Sequence, residues 1–329
     1  MKEIRWAVLG TGVIANEMAA ALKKNGRNIC AVGNRTHSKA VAFAEKYGIQ
    51  KVYDNFNEMF SDPDIDAIYI TTPHNTHIGF MKKAIANGKH VLVEKSITLN
   101  SNELSEAMAL ANEKGVVIGE AMTIYHMPIY KELRKLLDSG KLGKVNLITM
   151  NFGSFKDYDM SNRFFNRELA GGAMLDIGVY ALSFIRFFMS EKPSNLLSQV
   201  KNAPTGVDEQ AGLLLMNDAG QMASVMLSLH SKQPKRGMVS CENGYIEIME
   251  YPRAWEASVT YTDSGKTEVI RAGENADALA YELHDMEMAI NGDAECMRLD
   301  YTRDVMEMMT EFRNSWGLRY PEEEQPLLV

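Results

Sequence analysis

Gly10-Thr11-Gly12-Val13-Ile14-Ala15 follows an apolar run from Ile4 to Leu9 and opens a helical pattern that lasts to Lys24. No other feature narrows the fold as much. Glycine at the first position permits a tight turn, and glycine at the third lets backbone N–H groups approach a pyrophosphate. A small residue at the sixth lets the helix pack against the strand. The helix N-terminus adds positive dipole. A second apolar run, Ile29–Gly33, follows at once. This order of strand, turn, helix and strand implies a dinucleotide-binding βαβ unit, with Gly10, Thr11, Gly12, Val13 and Ile14 around the phosphates.

The alternation continues. Strands are expected at Ile4–Leu9, Ile29–Gly33, Lys51–Tyr53, Ala67–Thr71, His90–Val93 and Val116–Gly119. They are short and apolar throughout, as strands covered on both faces are. Helices are expected at Ile14–Lys24, Ser38–Tyr47, Asn57–Phe60, Thr76–Ala86 and Asn102–Lys114, with Ser38 and Ser101 as N-caps and Gly26, Gly48, Gly88 and Gly115 as stops. The first part thus reads as a Rossmann-type α/β domain.

Near residue 121 the pattern changes. A helix (Tyr130–Ser139), a strand (Val145–Phe152), a loop to Ala170 and an apolar helix (Gly172–Met189) precede consecutive strands from Asn195 to Arg271. Turn signals recur at 217–220, 242–244 and 263–265, and two helices, Ala276–Asn291 and Thr302–Ser315, close the chain. The expectation is a second, α+β domain with a large mixed or antiparallel sheet. The domains would be 1–121, binding nucleotide, and 122–329, binding substrate and making the subunit interface. The tail Pro321–Val329 is expected to be a surface extension.

The 329 residues carry 35 Lys+Arg against 43 Asp+Glu, a net charge of −8. That sign argues against nucleic acid as a partner, since phosphate neutralisation needs a basic footprint. No stretch reads as the ~20 apolar residues that cross a bilayer. Three dispersed cysteines, Cys30, Cys241 and Cys296, suggest reduced thiols in the cytoplasm, without a disulfide framework or a metal site.

The end of the second strand bears on the choice of nucleotide. NAD enzymes place an acid there for the ribose 2′-OH. Here the chain reads Asn34-Arg35-Thr36-His37-Ser38-Lys39, without one. Arg35 offers a guanidinium fork to a 2′-phosphate, and Asn34 and Ser38 add donors. NADP is therefore favoured, with NAD as the alternative. The bland reading leaves Arg35 and Lys39 as solvated charges.

Two further segments sit at carboxyl ends of strands, where open α/β sheets bind ligands. They are Thr71-Thr72-Pro73-His74-Asn75-Thr76-His77 and Glu94-Lys95-Ser96. His74 and His77 lack a third ligand nearby, which argues against a metal. Lys95 follows a rigid apolar strand. It is either a cation for a reacting carbonyl or a strand-end charge. In Gly171-Gly172-Ala173-Met174-Leu175-Asp176-Ile177-Gly178-Val179-Tyr180, Asp176 and Tyr180 share one helical face. They are either a site or a structural pair satisfied in the core.

Gly10-x-Gly12-x-x-Ala15, the Thr72–His77 loop, Glu94-Lys95 and the Asp176/Tyr180 helix together resemble the Gfo/Idh/MocA oxidoreductases. The last motif is similar to the branch that holds the dimeric dihydrodiol, D-xylose and glucose–fructose enzymes. The closing Ser315-Trp316-Gly317-x-x-Tyr320-Pro321 extends the resemblance over nearly the whole chain.

The resemblance implies that Lys95 contacts nicotinamide ribose and substrate, that Tyr180 is the acid/base, and that Asp176 orients a substrate hydroxyl. It also implies that Thr71, Thr72, Pro73, Asn75, His77 and Glu94 line the cofactor. A homodimer or larger assembly is implied, as is a polyhydroxylated small-molecule substrate. Two departures stand out. Ser96 replaces a common proline, which should loosen its loop slightly. Thr123 and Tyr125 replace an aromatic residue and an arginine, so the substrate pocket should differ.

The mechanism expected is reversible hydride transfer between nicotinamide C4 and a carbinol carbon. A free phenol, of pKa about 10, is a poor base at neutral pH, so a lysine ammonium would be needed to favour its phenolate. A non-catalytic nucleotide sensor and an NAD-dependent glycoside hydrolase are the competing readings.

Overall fold

The computed structural model describes residues 3–324. They form two compact units, one made of the residues up to Ala121 together with Ala276–Leu299, the other of Met122–Asn275 and the residues from Asp300.

The first unit is built on six parallel strands: β1 (Trp6–Leu9), β2 (Ala31–Gly33), β3 (Lys51–Tyr53), β4 (Ala67–Ile70), β5 (His90–Glu94) and β6 (Ile118–Ala121). Their order, β3-β2-β1-β4-β5-β6, is the doubly wound one. The helices between them are α1 (Val13–Lys24), α2 (His37–Tyr47), α3 (Phe56–Ser61), α4 (His77–Ala86) and α5 (Ser101–Lys114). Every residue of β1 and β4 is buried, which is why neither strand alternates in polarity. The order reverses between β1 and β4, and the Gly10 and Thr71 turns leave the sheet side by side there.

All four stop glycines take positive φ. The N-caps differ from expectation. Asn100, not Ser101, caps α5, its side chain accepting the Glu103 N–H at 3.0 Å. Thr36, not Ser38, starts α2, without a side-chain bond.

The second unit carries an eight-stranded sheet: β7 (Val145–Gly153), β8 (Asn195–Asn202), β9 (Asp208–Met216), β10 (Met222–Ser228), β11 (Gln233–Cys241), β12 (Gly244–Met249), β13 (Glu256–Tyr261) and β14 (Thr267–Arg271). Its order is β14-β13-β12-β11-β7-β10-β9-β8, antiparallel except for the parallel β7–β10 pair, so the sheet is mixed. Short α6 (Thr123–His126) and α7 (Pro128–Asp138) precede it. A π-helical turn, Met174–Gly178, runs into α8 (Val179–Phe188), which packs on one sheet face through Phe184, near Tyr130 and Tyr251.

One sequence expectation is corrected here. Arg167–Phe188 is long and apolar enough to cross a membrane, although no such stretch was read. Its hydropathy comes from Leu, Ile, Val and Phe, but Asp176 and Arg186 interrupt them, so no unbroken apolar run stands out. In the fold 78% of its apolar window is buried, which makes it a core element.

Helix α9 (Ala278–Ile290) returns to the first unit, where Leu279, Leu283, Met286 and Ala289 join the core of β1 and α1. Sequence order had assigned this stretch to the second domain. Helix α10 (Leu299–Ser315) and the short α11 (Pro321–Glu324) belong to the second unit. The tail is thus less of an extension than expected: Glu323 is bonded to buried Arg313 at 2.9 and 2.8 Å, while 325–329 lie outside the described residues.

Candidate active site

In the first unit, the Gly10 N–H bonds the Gly33 carbonyl at 2.8 Å and closes the turn after β1. Gly10 has φ +112°, and a Cβ there would stand 2.4 Å from Thr71 Oγ1, so only glycine fits. Gly12 caps α1, and a Cβ there would meet nothing within 4 Å. That open space lies over the helix N-terminus, where the first backbone N–H groups lack intrahelical partners. Ala15 is fully buried, whereas Val13 is 75% exposed at the mouth of the turn. These residues fit a dinucleotide pyrophosphate.

After β2, Arg35 and Ser38 are exposed, and Asn34 donates to the Thr36 carbonyl at 3.1 Å. Among the described residues Arg35 makes no hydrogen bond or ion pair. The loop itself has no acid, but Asp54, at the end of β3, pairs with His37. Local sequence could not show this neighbour.

The two strand-end loops are tied by histidines. His77 is fully buried, with Nδ1 3.0 Å from the Ser96 carbonyl and Nε2 2.8 Å from the Thr72 carbonyl. The two carbonyls favour the imidazolium, but burial outweighs them and pushes the pKa down. A neutral ring then donates to one of the carbonyls. His74 Nε2 lies 3.0 Å from the Lys95 carbonyl. The Ile97 N–H donates to buried Glu120 at 3.1 Å, and Tyr69 donates to Glu94. The Lys95–Ser96 peptide is cis. Thr71 Oγ1 donates to the Leu9 carbonyl at 3.1 Å, and Thr76 donates to Thr72 at 2.7 Å. Pro73 and Asn75 lie on the same turn before α4.

In the second unit every residue from Ala170 to Ile185 is buried except Asp176 and Tyr180. A π turn inserts extra backbone into the helix at Asp176, and such turns recur at functional positions. Gly178 lets the turn lie close to the sheet, since a Cβ there would be 3.0 Å from Leu227. Arg163 reaches Asp176 at 3.8 Å, and the Tyr180 ring packs near Phe152, with centroids 6.1 Å apart. Thr123 and Tyr125, the two departures noted above, are both buried. Thr123 donates to the Pro252 carbonyl at 2.5 Å, and Tyr125 meets Tyr301 edge-on. Asp208 and Tyr320 flank the start of this helix; Asp208 was not singled out from sequence, and Tyr320 only as part of the closing motif.

A doubly wound sheet with an open glycine turn, followed by a large mixed sheet, defines a dinucleotide-dependent oxidoreductase. Residues 4–122 match the model of an oxidoreductase family with an NAD-binding Rossmann fold, and 130–247 match the GFO/IDH/MocA C-terminal domain. The chain belongs to the Gfo/Idh/MocA oxidoreductase family. It is similar to trans-1,2-dihydrobenzene-1,2-diol dehydrogenase of Mus musculus, 31% identical over 253 residues and covering 75% of each chain. Among solved structures, aldose-aldose oxidoreductase from Caulobacter crescentus, complexed with glycerol, aligns at TM-score 0.85 and 23% identity, over 97% of this chain and 99% of that one. A 3-ketoreductase from Actinomadura kijaniata, in complex with NADP and TDP-benzene, aligns at 0.80 and 21%, over 94% and 96%. The sequence reading of family and fold class agrees with these matches.

Proposed function

We propose that the protein is an NADP-dependent dehydrogenase or reductase acting on a CH–OH group of a sugar, polyol or dihydrodiol-like molecule. One observation carries the reading: from Ala170 to Ile185, otherwise wholly buried, only a carboxylate and a phenol are partly exposed. A carboxylate and a phenol half-buried on one face of a core helix can both meet a hydroxylated substrate. The names of the relatives, a dihydrodiol dehydrogenase and an aldose oxidoreductase, support the substrate class.

In this reading the first 121 residues hold the nucleotide. Gly10–Ile14 cradle its pyrophosphate, Asn34, Arg35 and Ser38 meet the 2′-phosphate, and Thr71, Thr72, Pro73, Asn75, Glu94 and Lys95 line the nicotinamide half. His77 acts from behind, set between the Thr72 and Ser96 carbonyls and donating to one of them. The bound nicotinamide supplies or takes the hydride. Residues from 122 on bind substrate and a second copy of the chain. Tyr180 moves the hydroxyl proton, Asp176 holds a neighbouring hydroxyl, and Lys95 is the cation that favours the phenolate. Three cysteines outside any disulfide among the described residues fit a reducing cytoplasm.

The test is incubation with NADP and a panel of sugars, polyols and dihydrodiols, following absorbance of the reduced cofactor. Tyr180→Phe should lose about 10²–10⁴ in turnover while still binding NADP. Lys95→Ala should move the basic limb of the pH–rate profile upward. Wild-type turnover in Tyr180→Phe would end the acid/base assignment. Binding without turnover on any substrate would point to a sensor, and aglycone release without net reduction to a hydrolase.

A further inference from the structure

A buried carboxylate sits under the start of the helix that carries Asp176 and Tyr180. Asp208, the first residue of β9, is fully buried, and its Oδ2 accepts the Met174 N–H at 2.6 Å. Its other oxygen has no hydrogen-bond partner. Gly172 accommodates it: a Cβ there would be 2.1 Å from Asp208 Oδ1, and φ is +125°. From the other side Tyr320 donates to the Gly171 carbonyl at 2.6 Å. The Arg313 guanidinium lies 4.9 Å from the Tyr320 ring centroid, and Glu323, bonded to Arg313, also accepts the Tyr320 N–H at 2.9 Å. The glycine pair that begins the helix is thus held between Asp208 and the closing segment of the chain.

We propose that Asp208 is a positioning residue: through the Met174 N–H it sets the first turn of the helix, and so the direction in which Asp176 and Tyr180 point. The inference rests on the function proposed above for those two residues. A carboxylate at a helix N-terminus satisfies one of its free N–H groups and is favoured by the dipole. Hydrophobic neighbours would fill the space as well but could not accept that bond.

Burial pushes the Asp208 carboxyl up to about 7, against the pull of the Met174 and Ala173 N–H groups and of Arg313. Tyr320 also feels its charge, and Glu323 lies beyond, bonded to Arg313 and to the Tyr320 N–H. Near neutral pH the carboxyl therefore exchanges a proton, and its hold on the Met174 N–H changes with it.

The experiment compares Asp208→Ala and Asp208→Asn with the unmodified protein, by turnover across pH and by amide hydrogen exchange at residues 173–180. Asp208→Ala should exchange faster there and lose about tenfold to a hundredfold in kcat, as a slight misplacement of catalytic groups does, with KM for NADP unchanged. Asp208→Asn keeps an acceptor oxygen and should recover most of kcat, but without the change near pH 7 seen in the unmodified protein. Unchanged exchange in a folded Asp208→Ala would overturn the proposal. So would wild-type kcat in that variant when Tyr180→Phe has lost it, or a pH profile in Asp208→Asn identical to wild type. If Tyr180→Phe itself turns over normally, the reading of the site fails by its own measurement and the Asp208 role falls with it.

Discussion

Arg35 and Asp54 would act on a bound nucleotide in opposite senses. Arg35 is exposed and makes no hydrogen bond or ion pair with other described residues, so its fork is available to a 2′-phosphate. Asp54 places a carboxylate beside the same loop through His37. Removing a charge-assisted contact costs on the order of 1.5–3 kcal/mol, or about tenfold or more in affinity. Arg35→Ala should weaken NADP by that factor and leave NAD nearly unchanged. Asp54→Asn should tighten NADP, most clearly at low salt, because an exposed like charge is screened as ionic strength rises. Calorimetric titration of both cofactors at two salt concentrations checks this. Equal affinity for both in the unmodified protein, unmoved by Arg35→Ala, would sink the NADP preference. At this scale the sequence displays the polar groups that lie within one loop, as from Asn34 to Ser38. Asp54 was not legible there, because it enters from the next strand.

Among the elements, the βαβ units were readable to within a residue or two because buried strands and glycine stops leave strong local marks. Strand β6 was read two residues early: Val116 and Val117 look like strand, yet regular pairing begins at Ile118. The cap of α5 moved from Ser101 to Asn100 because both can cap and only tertiary placement decides. The π turn was invisible, since apolar spacing near 3.6 tolerates one extra residue.

The buried Asp208 was equally invisible, but it has a consequence for stability. Its folded pKa of about 7 lies above the ordinary carboxyl value of 3.8, so between those values the native state holds a proton that the unfolded chain has released. Its contribution to stability therefore falls as pH rises from about 4 to about 7 and is level above that. Asp208→Asn removes the titration. Urea unfolding at pH 5 and at pH 7.5 should show the variant gaining on wild type at the higher pH, by up to about 1.4 kcal/mol per unit within the window. The same difference at both pH values would mean that the carboxyl titrates normally.

In the whole molecule, chain order and spatial order part at α9. Gly119 in β6 makes room for Met297, since a Cβ there would be 2.4 Å from its methyl, and Trp6 donates to Glu287 at 2.7 Å. Contacts between residues so far apart leave no local mark. The methionines of α9 and α10 are mostly core: Met286, Met306, Met308 and Met309 are buried, and Met288 partly so.

The outer face of the large sheet was legible in one strand only. In β10, Ala223, Val225 and Leu227 turn inward to the core, while Met226 is 58% exposed. The strand registers extend that outer face across the sheet, where Leu147, Leu197, Leu214, Met216, Met226, Tyr245, Met249 and Val269 are all exposed. Monomers rarely leave so many large apolar side chains on one sheet face, even with Thr149, Ser224 and the Arg236–Glu247 pair among them. Two copies stacked on this face about a two-fold axis would cover it with a self-complementary interface, and a stable pair needs about 800 Å² from each partner. The expectation is a homodimer at micromolar concentration by light scattering after size exclusion. Leu197→Lys with Met226→Lys should give a monomer with an unchanged far-UV spectrum, because neither side chain reaches the core. Like charges brought together across the axis would oppose pairing, and added salt should restore part of it. A wild-type monomer, or a double variant that stays dimeric, would leave this face to some other partner.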